Sequence, residues 1–188
     1  MESQIKKLAS LFRKMVTNAN TFGDMWKNIS LGREGFAIMK ELPATLPGEF
    51  DTPQAKASLL GQMLSQMDET ATPRFCISVR EYMHTLAPDD TDNNKKLTKL
   101  RDYIDPSVPM EDYCRKYNVH LKFDPVERTE RMEEVIEEVE RECDKVLAGQ
   151  PRGMGFCFAY WAARESALAQ RGIEWRSPSV MNPGVMFD

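Results

Sequence analysis

Between residues 126 and 150 the chain interleaves large apolar side chains with carboxylates at a spacing that suits a helix and not a strand. Met132, Val135, Ile136, Val139, Cys143, Val146 and Leu147 recur three and four residues apart, so they share one stripe of a 3.6-residue turn. The remaining positions carry nine acidic residues against four basic ones. A stripe of this length is stable only when another apolar surface covers it, and the same period recurs through the rest of the chain. The expected fold is mainly α: an irregular bundle of six or seven helices, with at most a minor extended segment and a nonhelical C-terminal tail.

The other elements follow from local signals. Residues 3–19 place Ile5, Leu8, Phe12, Met15, Val16 and Ala19 on one side of an amphipathic helix. Residues 20–48 mix glycines and prolines with Phe22, Trp26, Phe36, Ile38 and Met39, which predicts a short helix and an ordered loop. Thr52-Pro53 and Thr72-Pro73 each offer a hydroxyl cap and a proline at the first helical position. They predict two helices in an antiparallel hairpin. Short helices are expected over 94–104 and 109–117, and Val119, Leu121 and Phe123 alternate as in a brief extended segment. Asp124-Pro125 is expected to open the acidic helix, running to residue 148. Residues 154–170 are apolar nearly all round in their first half and predict a helix at the centre of the core. Residues 1–48 are read as a helix and loop packed on a helical core, 49–188, in a single domain.

The net charge of −4 implies no general affinity for polyanions. The longest apolar run, residues 155–163, falls far short of the roughly 20 residues a bilayer span requires. Basic residues are interspersed with the first apolar ones, which is unlike a secretory signal. Cys76, Cys114, Cys143 and Cys157 form no CxxC pair and read as reduced thiols. A cytoplasmic protein is expected, with no metal site and no cofactor.

Catalytic signatures of the common kinds are missing from the sequence. His84, beside Tyr82 and Met83, reads as a partly buried structural histidine, and His120 as a solvated one. The run Glu130, Glu133, Glu134, Glu137, Glu138 reads as a solvated face relieved by pairs such as Glu127 with Arg131 and Glu137 with Arg141. Lys6, Lys7, Arg13 and Lys14 make the N-terminal helix basic, a candidate contact for an acidic partner or an anion. The basic residues of 94–117 suggest nucleic acid, but Asp102, Asp105, Glu111 and Asp112 in the same stretch would repel phosphate, so that reading is not favoured.

The C-terminus is the most distinctive segment. Gly155-Phe-Cys-Phe-Ala-Tyr-Trp161 leads to Gly172-Ile-Glu-Trp-Arg-Ser-Pro178, then Asn182-Pro183 and a final Phe187-Asp188. These residues resemble the tail of a family of uncharacterised bacterial and mobile-element proteins, over residues 155–188 only. The resemblance carries no known activity, and Phe158 stands where the family often has a histidine after the cysteine. Read physically, Tyr160, Trp161 and Trp175 supply aromatic anchors, while Arg164, Glu165, Arg176 and Asn182 supply polar contacts. These seven are the candidate binding residues. The favoured function is a noncatalytic interaction or accessory protein with a protein partner or a second copy of itself. The alternatives are an enzyme with a pocket near the C-terminal aromatic residues and a nucleic-acid binder.

Overall fold

The computed structural model describes residues 2–45 and 52–187. The expected boundary near residue 48 and the final Asp188 lie outside them. The described residues form nine α-helices and no strand: α1 (Glu2–Ala19), α2 (Asn28–Glu41), α3 (Pro53–Leu64), α4 (Pro73–Leu86), α5 (Thr91–Ile104), α6 (Met110–Tyr117), α7 (Glu130–Val146), α8 (Phe156–Ala169) and α9 (Pro178–Met181). The mainly helical class is as expected. No helix among the described residues is long and apolar enough to cross a membrane. The chain divides into two compact units, Met1–Arg101 and Asp102–Asp188.

In the first unit α1 packs along α2, and α3 along α4. Of the stripe predicted on α1 only Leu8 and Met15 are buried, with Leu11 beside them, while Ile5 and Val16 are exposed; Leu60, Met63 and Leu64 are buried on α3, and Val79 and Met83 on α4. Segment 20–48 holds a longer helix than expected, because Gly32 and Gly35 serve as contact points inside α2. A Cβ on Gly32 would lie 2.5 Å from Met67 Sδ, and one on Gly35 3.3 Å from Met63 Sδ. The gain from close packing offsets glycine's weak helix propensity. Thr52 caps α3 through Ala55 N as expected, whereas the Thr72 side chain makes no capping bond to α4. Thr72 is fully buried, with its hydroxyl 3.7 Å from Cys76 Sγ.

Three buried polar side chains fix this unit. Asn28 donates to Met15 O (2.9 Å) and Gln66 O (2.7 Å) and accepts from Asn18 Nδ2 (2.9 Å), joining α1 and α2 to the end of α3. The Arg80 guanidinium is held by the Glu69 carboxylate and donates to Asn93 Oδ1 (3.1 Å). Lys56 is fully buried, and its ammonium donates to Leu42 O (2.7 Å), Pro43 O (3.2 Å) and Tyr82 OH (2.9 Å). All three of its protons are used. The cation also sits at the C-terminal end of α2, where the helix dipole is negative.

In the second unit Tyr103, Tyr113, Tyr117 and Phe123 pack ring to ring around α6, with centroids 4.9 to 6.0 Å apart. Burial pushes the Tyr113 hydroxyl up to about 12. α7 packs on α8 through the expected stripe, but Val146 is 62% exposed at the helix end. α7 also starts later than predicted. Asp124 caps a separate 3-10 turn, Pro125–Arg128, and Thr129 then caps α7 by accepting from Met132 N (3.2 Å). α8 is not the centre of the core: only Ala167 and Leu168 are fully buried on it, and Phe158 is 49% exposed. Among the described residues its principal helix partner is α7, and its apolar first half keeps an open side at Phe158. His84 is exposed and bonds Asn94 Oδ1 (2.8 Å), because position 84 lies beyond the buried stripe of α4; His120 is exposed as expected.

Replacing Lys56 with methionine keeps the buried volume but leaves two carbonyls without a donor. Urea unfolding is expected to show a loss of about 2 to 3 kcal/mol, with far-UV circular dichroism of the folded state unchanged.

Candidate functional site

The 4-residue spacing on α8 places Tyr160 and Arg164 on the side facing α7. There Glu140 meets both: Tyr160 OH donates to its Oε1 at 2.6 Å, and Arg164 Nη1 lies 3.3 Å away. Arg164 Nη1 also donates to Tyr160 OH (3.1 Å), and its guanidinium carbon lies 5.1 Å from the centre of the Trp175 ring. Trp175 in turn donates from Nε1 to Glu127 Oε1 (2.7 Å). Four segments thus converge on one enclosed cation: the 3-10 turn, α7, α8 and the tail.

The electrostatics match this enclosure. Burial works against the Arg164 charge, but Tyr160, Glu140 and Glu127 outweigh it and raise its pKa. Desolvation pushes the Glu127 carboxyl up, against the opposing bonds from Trp175 and the field of Arg164. Desolvation likewise raises the Tyr160 hydroxyl well above its ordinary range. Arg164 Nε is buried with no hydrogen-bond partner. This is the chemistry of a packed ionic lock, in which Tyr160 stays protonated.

Outside the lock the predicted residues separate. Arg176 grips Asp124 through its backbone N (2.8 Å) and Nε (3.0 Å). Glu165 lines a groove of about 600 Å³ with Ala169, Ile173, Glu174 and Arg176. Asn182 pairs with the backbone of Lys122 in the extended segment 119–123, which forms no strand. Trp161 stands apart, edge to face with Phe158 (5.4 Å, 83°) and Phe187 (5.1 Å, 89°). Of the seven candidates, Tyr160, Arg164 and Trp175 are brought together at the lock, Trp175 also lines the groove with Glu165 and Arg176, and Trp161 and Asn182 stand apart from both.

Sequence reasoning did not place Glu127, Glu140 or Asp124 at the site: Glu127 and Glu140 look like members of the acidic face, and Asp124 reads only as the residue that opens the helix. Glu127 does not pair with Arg131, which instead bonds Glu134 (3.1 Å); the 3-10 turn aims Glu127 at Trp175. Glu137 does pair with Arg141 (3.0 Å). One signal was available: Glu133 and Glu140, seven residues apart, flank the apolar stripe, and both are buried. Phe158 and Phe187 were also missed as members of the aromatic surface.

The basic candidates lie in the first unit. Lys6 pairs with Glu2 and Lys7 with Glu34, both at 2.6 Å, while Arg13 and Lys14 stand exposed. Over α5 and α6, Lys96, Arg101, Arg115 and Lys116 each pair with a carboxylate. Among the described residues no three His, Cys, Asp or Glu side chains gather as a metal site would require. Comparison with family models, curated proteins and solved structures gives no match.

Arg164→Met leaves the buried Glu140 carboxylate without its cation and takes from Glu127 the field that opposes its desolvation, and is expected to cost about 3 to 5 kcal/mol by chemical denaturation. Asp124 supplies a pH test. Burial raises its carboxyl, but the bonds from Arg176 and from the Val126 and Arg176 amides outweigh this and hold it below the ordinary 3.8. Its contribution is therefore present above 3.8 and lost as pH falls through the lowered value. Asp124→Asn is expected to destabilise by about 2 kcal/mol at pH 7, with the difference from wild type shrinking below pH 3.8 in urea titrations.

Proposed function

We propose that the protein is a noncatalytic helical interaction protein that works through protein–protein contacts, with the aromatic surface of α8 and the tail as its principal contact. The observation that carries this is the edge-to-face row Phe158, Trp161, Phe187 with its outer side open. Phe158 is 49% exposed, and Val185 and Met186 beside Phe187 in the chain are 46% and 96% exposed. Aromatic side chains held rigid by one another lose little freedom on binding, and such residues dominate the energetics of interfaces. The exposed Arg13 and Lys14 on α1 offer a separate contact for an acidic partner. Cys76 and Cys143 are free and buried, in keeping with the reducing, cytoplasmic setting this reading takes.

A second reading, a ligand pocket, is favoured by the groove beside Glu165 and Glu174. The contact reading is preferred because Arg164 and Tyr160, the residues best suited to chemistry, are consumed by the lock.

The test is sedimentation velocity across a range of concentrations, with affinity capture from host lysate, for wild type, Phe158→Glu and the pair Arg13→Glu with Lys14→Glu. Wild type is expected to self-associate or to retain a reproducible partner, and Phe158→Glu to weaken that association about thirtyfold or more, as loss of an interface anchor does. A concentration-independent monomer that captures nothing would overturn the reading. Dependence on Arg13 and Lys14 alone would move the contact to α1.

A further inference from the structure

The last stretch of the tail is attached in an unusual way. Its root is firm: Ile173 and Trp175 are buried, and Trp175 and Arg176 bond Glu127 and Asp124. From Ser177 to Phe187 only Ser177 and Asn182 are buried, while Val180, Val185 and Met186 face outward. Among the described residues, the two hydrogen bonds that join this stretch to another segment are both made by Asn182, its Oδ1 accepting from Lys122 N (2.9 Å) and its Nδ2 donating to Lys122 O (2.8 Å). The amide copies the two bonds by which one strand residue pairs with another. Among the described residues no backbone-to-backbone bond joins this stretch to residues 119–127. A strand ladder spreads hydrogen bonding over backbone groups that no substitution removes, whereas here the hydrogen bonding to Lys122 rests on one side chain.

Asn182 also takes part in the local fold of the stretch, through its side chain and its backbone. Asn182 Nδ2 donates to Pro178 O (2.8 Å) across α9, and Val185 N donates to Asn182 O (3.0 Å) in the turn that follows. The turn leads to Phe187, whose ring lies 5.1 Å from Trp161. The side-chain amide thus ties the end of α9 to Lys122, and the backbone carbonyl of the same residue closes the turn that leads to Phe187.

We infer that residues 177–187 are a strap pinned by Asn182, and that the aromatic contact surface is complete only when the strap is closed. Closed, Phe187 covers one edge of Trp161 and forms the end of the row. Open, it leaves Trp161 and Phe158 as a smaller surface, while the root and the Arg164 lock stay in place. This is the regulation of the contact surface proposed above and rests on that reading for its biological consequence. Asn182 is a positioning residue in it, acting through Phe187.

Hydrogen exchange read by mass spectrometry on the full chain tests the strap without any partner. Asn182→Ala is expected to speed exchange over residues 178–187 and at Lys122 about tenfold or more, as loss of a pair of buried hydrogen bonds does. Exchange in α7, α8 and residues 173–176 should be unchanged. In a Trp26→Phe background, where Trp175 stays buried, acrylamide quenching of Trp161 should rise in Asn182→Ala to the level given by Phe187→Ala. Asn182→Asp, which keeps the acceptor for Lys122 N but sets a carboxylate oxygen against the Lys122 and Pro178 carbonyls, should open the strap at least as far as Asn182→Ala. Exchange over 178–187 that does not change, or that rises equally in α7 and α8, would overturn the strap. Faster exchange with Trp161 quenching unchanged would overturn its link to the aromatic row. If these signatures appear and no variant associates with anything, the strap stands and the contact function falls.

Discussion

The second unit is organised by the need to neutralise one buried charge. A guanidinium removed from water is tolerable only with a carboxylate and well-placed dipoles around it, and Arg164 draws these from every segment within reach. Glu140 comes from α7, Tyr160 from the preceding turn of α8, Glu127 from the 3-10 turn and the Trp175 face from the tail. The late start of α7 follows from the same requirement. On an unbroken helix from residue 124, Glu127 would lie on the solvent side of the Met132–Cys143 stripe. The caps at Asp124 and Thr129 break the helix and turn Glu127 toward Trp175.

The first unit meets a related problem with different parts. Its interior is rich in methionine, with Met15, Met39, Met63, Met67 and Met83 all buried. Methionine fills irregular space easily but specifies position weakly, because its side chain is unbranched and has many rotamers. Buried polar groups with directional demands supply what such a core lacks: Asn28 sets the α1–α2 junction, Lys56 the end of α2, and Arg80 the start of α5 through Asn93. Each is satisfied by several partners, so displacement of any one helix would leave a buried donor or acceptor unpaired.

Helix positions were legible in the sequence because an apolar stripe and a capping residue are local facts. Residues 3–19 and the stripe of α7 needed nothing beyond spacing, and the Thr52-Pro53 signal marked the start of α3. What spacing could not supply was the identity of the neighbour. Gly32 and Gly35 look like helix breakers until Met67 and Met63 are seen against them. The apolar run of α8 looks like a buried centre until it is seen that only one principal helix packs on it. The candidate site was half legible for the same reason. Tyr160, Arg164 and Trp175 stood out as residue types, but Glu127 and Glu140 were hidden among carboxylates that do face water, and only contact distinguishes them.

The order in which such a site can assemble constrains its behaviour. The Tyr160–Arg164 pair spans one helical turn and forms with α8 itself, and Glu140 joins when α7 docks on α8. The tail contacts are of another kind: Trp175 meets Glu127 across 48 residues, Arg176 meets Asp124 across 52, and Asn182 meets Lys122 across 60. Each of these contacts relies on the docked helix pair to bring its partner within reach, and each is made through one side chain. An aromatic surface that ends on Phe187 therefore inherits the stability of the weakest long-range contact beneath it rather than that of the helices on which it lies.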